Sequence, residues 1–130
     1  MRQLSVILLL VLLAGCSQAP NEELQLQISQ LANSDIIWEG TTFGLYPAIM
    51  DKAAQNILKQ GERAAPGLRE ALSDTNKFAA AHVLLTIIGK KEFPASAEHW
   101  NGLRVDLEAD GTVKLHPEQM DEIKKMWPGN

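Results

Sequence analysis

GERAAPGLREALSDTNKFAAAHVLLTIIG, residues Gly61 to Gly89, is the stretch on which the fold turns. Pro66 suits the first turn of a short helix, where a missing N–H costs nothing, and Leu68, Ala71 and Leu72 then fall on one face. Ser73 and Asp74 compete with the helix for backbone hydrogen bonds and mark its end. From Lys77 to Ile88 the chain is apolar nearly all round, which predicts the most buried element of the molecule, closed by Gly89. Only His82 and Thr86 break that interior.

Working upstream, Gly61 is the expected stop of a preceding helix. Pro47 is placed in its first turn, and Ile49, Met50, Ala53, Ala54, Ile57 and Leu58 form two adjacent stripes at helical period. Asp35 to Tyr46 contains Gly40, Gly44 and paired threonines, so it reads as irregular chain whose Ile36, Ile37, Trp38, Phe43 and Tyr46 supply apolar contacts. Before it, Asn21 is a candidate N-cap, and Leu24, Ile28 and Leu31 recur at helical spacing in a helix ending around Asn33.

Downstream the period changes from helix to strand. Leu103, Val105 and Leu107 alternate with Arg104, Asp106 and Glu108, and Val113 and Leu115 alternate with Thr112, Lys114 and His116. A two-residue Asp110-Gly111 loop would set Leu107 opposite Lys114 and mix the faces. A three-residue loop, Ala109-Asp110-Gly111 with Gly111 left-handed, sets Leu107 opposite Val113 and Val105 opposite Leu115. It also sets Asp106 opposite Lys114 and Arg104 opposite His116, predicting a cross-strand Asp106–Lys114 pair. A lone hairpin needs a cover. Pro117 opens a last helix with Met120, Ile123 and Trp127 on one face, Glu118, Asp121 and Glu122 early, and Lys124 and Lys125 late, which suits the helix dipole.

The Gly61–Gly89 stretch resembles one HEAT-type unit: a glycine, a proline-started short helix with spaced leucines, an Asp-containing turn and an alanine-rich second helix. Pro47 to Gln60 is a partial neighbour. The resemblance implies a helix pair and, by fold-level analogy, a surface that binds proteins. The whole chain after residue 15 also looks similar to small exported bacterial proteins, a likeness that implies no particular activity.

The first residues give an address. Arg2, an apolar run from Leu4 to Leu13 broken only by Ser5, and Ala14-Gly15 follow the order of a secretory signal. A run this short falls below the roughly 20 apolar residues of a lasting bilayer span. Leu13-Ala14-Gly15-Cys16 resembles the lipobox of bacterial lipoproteins, which implies removal of residues 1–15, lipidation of Cys16, a tether over 16–21 and a single domain over 22–130. Several acyl chains on Cys16 would hold the protein on a membrane. In a Gram-negative cell Ser17 resembles the sorting context for the outer membrane, placing the domain in the envelope, facing the periplasm.

The formal net charge is −4, and −5 once Arg2 is removed, which argues against nucleic acid or an anionic membrane surface as partner. Cys16 is the only cysteine, so the domain must be held by its core without disulfides.

His82, His99 and His116 are the residues that could suggest acid-base or metal chemistry, but none stands in a metal-ligand or catalytic spacing. His82 shares a stripe with Phe78, Ala81 and Leu85, where an imidazole bonded to the backbone is expected. No serine stands in a GxSxG context. Trp100 and Trp127 are expected in the core, whereas Trp38, among glycines, is expected in a surface loop where it could hold a partner. Lys90-Lys91 reads as a solvated helix end.

The expectation is thus a mainly helical α+β domain: a HEAT-like helix pair, a C-terminal hairpin and a closing helix. Its function is expected to be non-enzymatic binding of a protein or peptide, or scaffolding, from a lipid anchor at Cys16, using an exposed apolar patch on the helical layer and no cofactor or metal. The competing reading is a small hydrolase or metal-dependent enzyme using His82 or His99.

Overall fold

The computed structural model describes residues 21–91 and 99–129, so the expected signal segment over 1–15, Cys16 and residues 16–20 of the expected tether lie outside the described residues. The fold is mixed α+β, 54% helical and 22% strand over the described residues, in agreement with the mainly helical α+β expectation. A first helix, α1, runs over 21–30. β1 (Ile36–Thr41) and β2 (Gly44–Ile49) form an antiparallel hairpin, followed by α2 (Lys52–Gln60) and α3 (Ala65–Ala71), then α4 (Phe78–Gly89). A three-stranded antiparallel sheet of β3 (His99–Trp100), β4 (Leu103–Leu107) and β5 (Val113–Leu115) precedes the last helix, α5 (Met120–Met126).

The helix pair expected over Gly61–Gly89 is present as α3 packed on α4. In α4 every residue from Phe78 to Thr86 is buried, because no side of the helix is polar enough to face water. Gly61, at φ 61°, ends α2, and Lys90 takes a left-handed conformation after α4.

The ends of α1 and α4 cap one another. The Asn33 side-chain oxygen accepts the N–H groups of Ala79 and Ala80 at 3.0 and 3.2 Å, supplying α4 with a cap that its own sequence lacks. In return the Lys77 ammonium donates to the carbonyls of Ser29 and Leu31 at 2.7 and 2.8 Å, where the C-terminal end of α1 is electronegative. Asn21, expected as an N-cap, is already helical, and its side-chain oxygen accepts from Arg63 at 2.8 Å.

Upstream of α2 the structure corrects the sequence reading. Asp35–Tyr46 is not irregular: most of it is hairpin, with Ile36 and Trp38 buried and Ile37 and Glu39 exposed in strand alternation. The threonines and glycines build the turn. Thr41 Oγ1 donates to the Gly44 carbonyl at 2.6 Å and accepts the Phe43 N–H at 3.2 Å, while Gly44 takes φ 116°. Pro47 is not in a helix but in β2, buried opposite Trp38. A two-stranded ribbon consists of edges, and its strands tolerate a residue without an N–H. The helix starts five residues later, where Asp51 accepts the Ala54 N–H at 3.0 Å as N-cap, a contact of about 1 kcal/mol.

The second hairpin has the expected register: Val105 opposite Leu115, Asp106 opposite Lys114 and Leu107 opposite Val113. Glu108 N–H donates to the Thr112 carbonyl around Ala109-Asp110-Gly111, with Gly111 at φ 89°. The structure adds one strand. His99–Trp100 pairs with Leu103–Arg104 across Asn101-Gly102, whose φ values of 46° and 85° are those of a type I′ turn. Arg104 therefore faces His99 on β3.

Candidate functional site

Three constellations stand out once the side chains are placed. In the first, α4 presents His82 to the junction of the sheet and α5. His82 Nε2 lies 2.8 Å from the Asn101 carbonyl oxygen, and the Trp127 indole N–H donates to His82 Nδ1 at 2.8 Å. The carbonyl can only accept and the indole can only donate, so the ring is the neutral tautomer with its proton on Nε2. Burial pushes the imidazole down to about 4, partly opposed by the Asn101 carbonyl. Around it the rings of Trp100 and Trp127 stand edge-on at 6.1 and 5.8 Å, and Trp38 meets Trp100 at 5.8 Å. Trp38 is thus not in a surface loop: it is 6% exposed and joins the first hairpin to this core. Trp127 is buried and Trp100 partly so, as expected. Lys91, at the helix end read as solvated, places its ammonium 4.6 Å from the centre of the Trp127 ring.

The second constellation lies at the other end of α5. His116 Nε2 is 2.7 Å from Asp106 Oδ2 and its Nδ1 is 3.1 Å from Glu118 Oε1. Arg104 Nε stands 3.6 Å from the other Asp106 oxygen. Asp106 therefore hydrogen-bonds His116 and not the expected partner Lys114, which faces it across the strands and adds only a weaker charge attraction. Lys114 is a flexible exposed cation, whereas the His116 ring is buried and held in place. The hydrogen bond from His116, aided by Arg104, holds Asp106 below the usual carboxylate range; Glu118 is lowered by its own backbone N–H and then by His116. The carboxylates bracket the ring from opposite nitrogens, so they do not converge on one ion. Among the described residues no group of three His, Cys, Asp or Glu side chains is placed to hold a metal. His99 is in β3, part-exposed, away from such a group.

The third is the outer face of the first hairpin. Ile37 is 49% exposed, Tyr46 58%, Met50 69% and Phe43, at the tip, 99%. The register sets Ile37 beside Ala48 and Glu39 beside Tyr46, making Tyr46 the diagonal neighbour of Ile37. Glu39 is the only charge between Ile36 and Met50. The apolar patch expected on the helical layer is therefore chiefly on the hairpin, with Leu26 and Ile87 as the exposed large apolar residues of α1 and α4. A groove of about 650 Å³ between α1 and α3 has Leu24, Ile28 and Pro66 in its floor and Arg63, Glu70 and Lys77 among its charges, without a histidine.

Signals for two of these sites were present in the sequence. Asn101-Gly102 is a strong two-residue hairpin signal and announces β3. Once Asp106 faces Lys114, His116 is its diagonal neighbour, and the turn at Pro117 brings Glu118 to the other nitrogen.

No protein-family model matches the chain, and neither a curated protein nor a solved structure does.

Proposed function

We propose that this chain is a lipid-anchored envelope protein that binds a protein partner through the outer face of its first hairpin. The observation that carries the reading is the exposure of Ile37, Phe43, Tyr46 and Met50 within fourteen residues, on a turn that Thr41 holds ready. Contiguous exposed apolar side chains on a small domain mark contact surfaces, and aromatic anchors supply much of the energy at such contacts. The partner that fits is an apolar segment bearing a basic residue to meet Glu39. An anionic bilayer fits poorly, because the chain is acidic and the hairpin carries no cation.

The test is made in cells producing the full precursor, with a photo-crosslinking phenylalanine analogue at Phe43 or Tyr46 and, as control, at Lys59 on α2. A single protein adduct from the hairpin positions alone, lost on Ile37→Ser and reproduced by the purified components, supports the reading. Equal adducts from Lys59, no adduct, or binding to protein-free anionic vesicles overturns it. Separately, Cys16→Ala is expected to lose palmitate labelling and precursor cleavage; unchanged labelling removes the lipid anchor and leaves the hairpin surface to be judged by its own crosslinks.

A further inference from the structure

We propose that Met50 is an oxidation site, at which a peroxide converts the thioether to a sulfoxide and so turns down binding by the outer face of the first hairpin. This rests on the hairpin reading above. Side chains of β2 alternate, so Tyr46, Ala48 and Met50 leave one side of the ribbon while Leu45, Pro47 and Ile49 turn towards the core. Ala48 stands opposite Ile37, which makes Tyr46 and Met50 the two diagonal neighbours of Ile37. Met50 follows the last residue of β2 directly and is 69% exposed, so its side chain stands open to water at the root of the apolar face whose tip is Phe43.

Oxidation of a thioether follows its exposure. Met120 and Met126 are half-buried and packed against the core, and the Met126 sulfur lies 3.1 Å from where a Cβ on Gly102 would stand. Cys16 is the chain's single cysteine, and lipidation would leave it no thiol to compete for oxidant. With hydrogen peroxide, a sulfur lone pair attacks one peroxide oxygen, the S–O bond forms as the O–O bond breaks, and the departing hydroxide takes a proton to become water. The sulfur loses two electrons and the peroxide gains them. A thiol-driven reductase reverses the step: two thiols are oxidised to a disulfide and the oxygen leaves as water. Between those events the position beside Ile37 carries a polar group, which a dry contact has to desolvate without a partner. The fold does not depend on the thioether, because Asp51 caps α2 and Thr41 holds the turn.

The test treats the full chain with hydrogen peroxide and follows its peptides by mass. Met50 is expected to gain its oxygen at least about fivefold faster than Met120 or Met126, with the melting temperature unchanged while Met50 alone is oxidised. In cells with the photo-crosslinking residue at Phe43, a peroxide pulse is expected to cut the hairpin adduct roughly tenfold, the worth of one buried methionine side chain. A thiol-driven methionine sulfoxide reductase is expected to restore it. Met50→Gln, polar and unbranched like the sulfoxide, should give the weak adduct without peroxide. Met50→Leu, which has no sulfur, should give the same adduct before and after the pulse. A native adduct unmoved by complete oxidation of Met50, or a peroxide response retained in Met50→Leu, overturns the proposal. No adduct from untreated native protein ends the hairpin reading and the switch with it. Equal oxidation rates at the three methionines end the oxidation site alone and leave the hairpin reading standing.

Discussion

The two main hairpins share one plan and differ in what they show to water. Each buries its inner side in the common core, Ile36, Trp38 and Pro47 from the first, Leu103 and Val105 from the second. The outer side of the second carries Arg104, Asp106 and Lys114, and Asp106 is bonded to His116. The outer side of the first carries Ile37, Tyr46 and Ala48 around the single charge of Glu39. An exposed strand face needs polar residues if water is its only neighbour, and the second hairpin has them. The first is composed like a face that has a neighbour.

If that contrast is sound, the inner and outer residues of the first hairpin should answer differently to mutation. Trp38→Ala removes a buried ring in contact with Trp100 and is expected to lower unfolding free energy by about 3–5 kcal/mol in denaturant titration. A loss below about 1 kcal/mol would mean that the hairpin is not part of the cooperative core.

The core beneath both hairpins is also sensitive to acid. His82 binds a proton more weakly folded than unfolded, about 4 against 6.5, so between those values the unfolded chain holds more protons. Stability is then full above pH 6.5, falls as pH drops towards 4, and falls no further from this group below it, a total of about 3 kcal/mol. Denaturant titrations across that window are expected to show the slope in the native protein and a flatter profile in His82→Gln. Equal slopes would show that the imidazole is not held neutral.

How much of this was written in the sequence depends on whether one element or two had to be read together. α4 was legible because its apolar surface is self-evident, and the Val105–Leu115 register because alternation on both strands admits one loop length. His82 as a core histidine was legible from its stripe; that Trp127 would be its donor was not, since they lie 45 residues apart. The first hairpin was missed because Gly40, Gly44 and Pro47 are breakers when read singly, yet become a turn and a tolerated edge proline once β1 and β2 pair. The burial of Trp38 follows from the same pairing, and the Asp106–His116 bond is a diagonal contact that direct cross-strand pairing does not show.

The turns of the second sheet offer a finer contrast. Gly102 has φ 85°, and a Cβ there would meet the Met126 methyl at 2.6 Å, so Gly102→Ala combines backbone strain with displacement of the Met126 side chain on α5. About 2 kcal/mol is expected. Gly111 has φ 89° but opens onto free space, so Gly111→Ala carries the backbone term alone, about 1 kcal/mol. Melting curves of the two variants rank the effects, and the reverse order would show that α5 does not lean on the Asn101-Gly102 turn.

The smallest expected change in stability comes from the outer face of the first hairpin. Phe43 has little packing to lose at 99% exposure, and Tyr46 is more than half exposed, so Phe43→Ser and Tyr46→Ser should each alter unfolding free energy by no more than about 0.5 kcal/mol. Neither side chain holds the turn, which rests on Thr41 and Gly44. Water should in fact accept serine at these positions more readily than an aromatic ring, so solubility is expected to rise. The same substitutions should weaken partner crosslinking from the hairpin at least tenfold, because an aromatic anchor in a contact contributes on the order of 2 kcal/mol or more. Stability and binding thus separate on this face, whereas on the inner face Trp38→Ala loses both together. A Phe43→Ser protein that binds as the native one does would mean that the exposed ring serves no contact, and the first hairpin would differ from the second in composition alone.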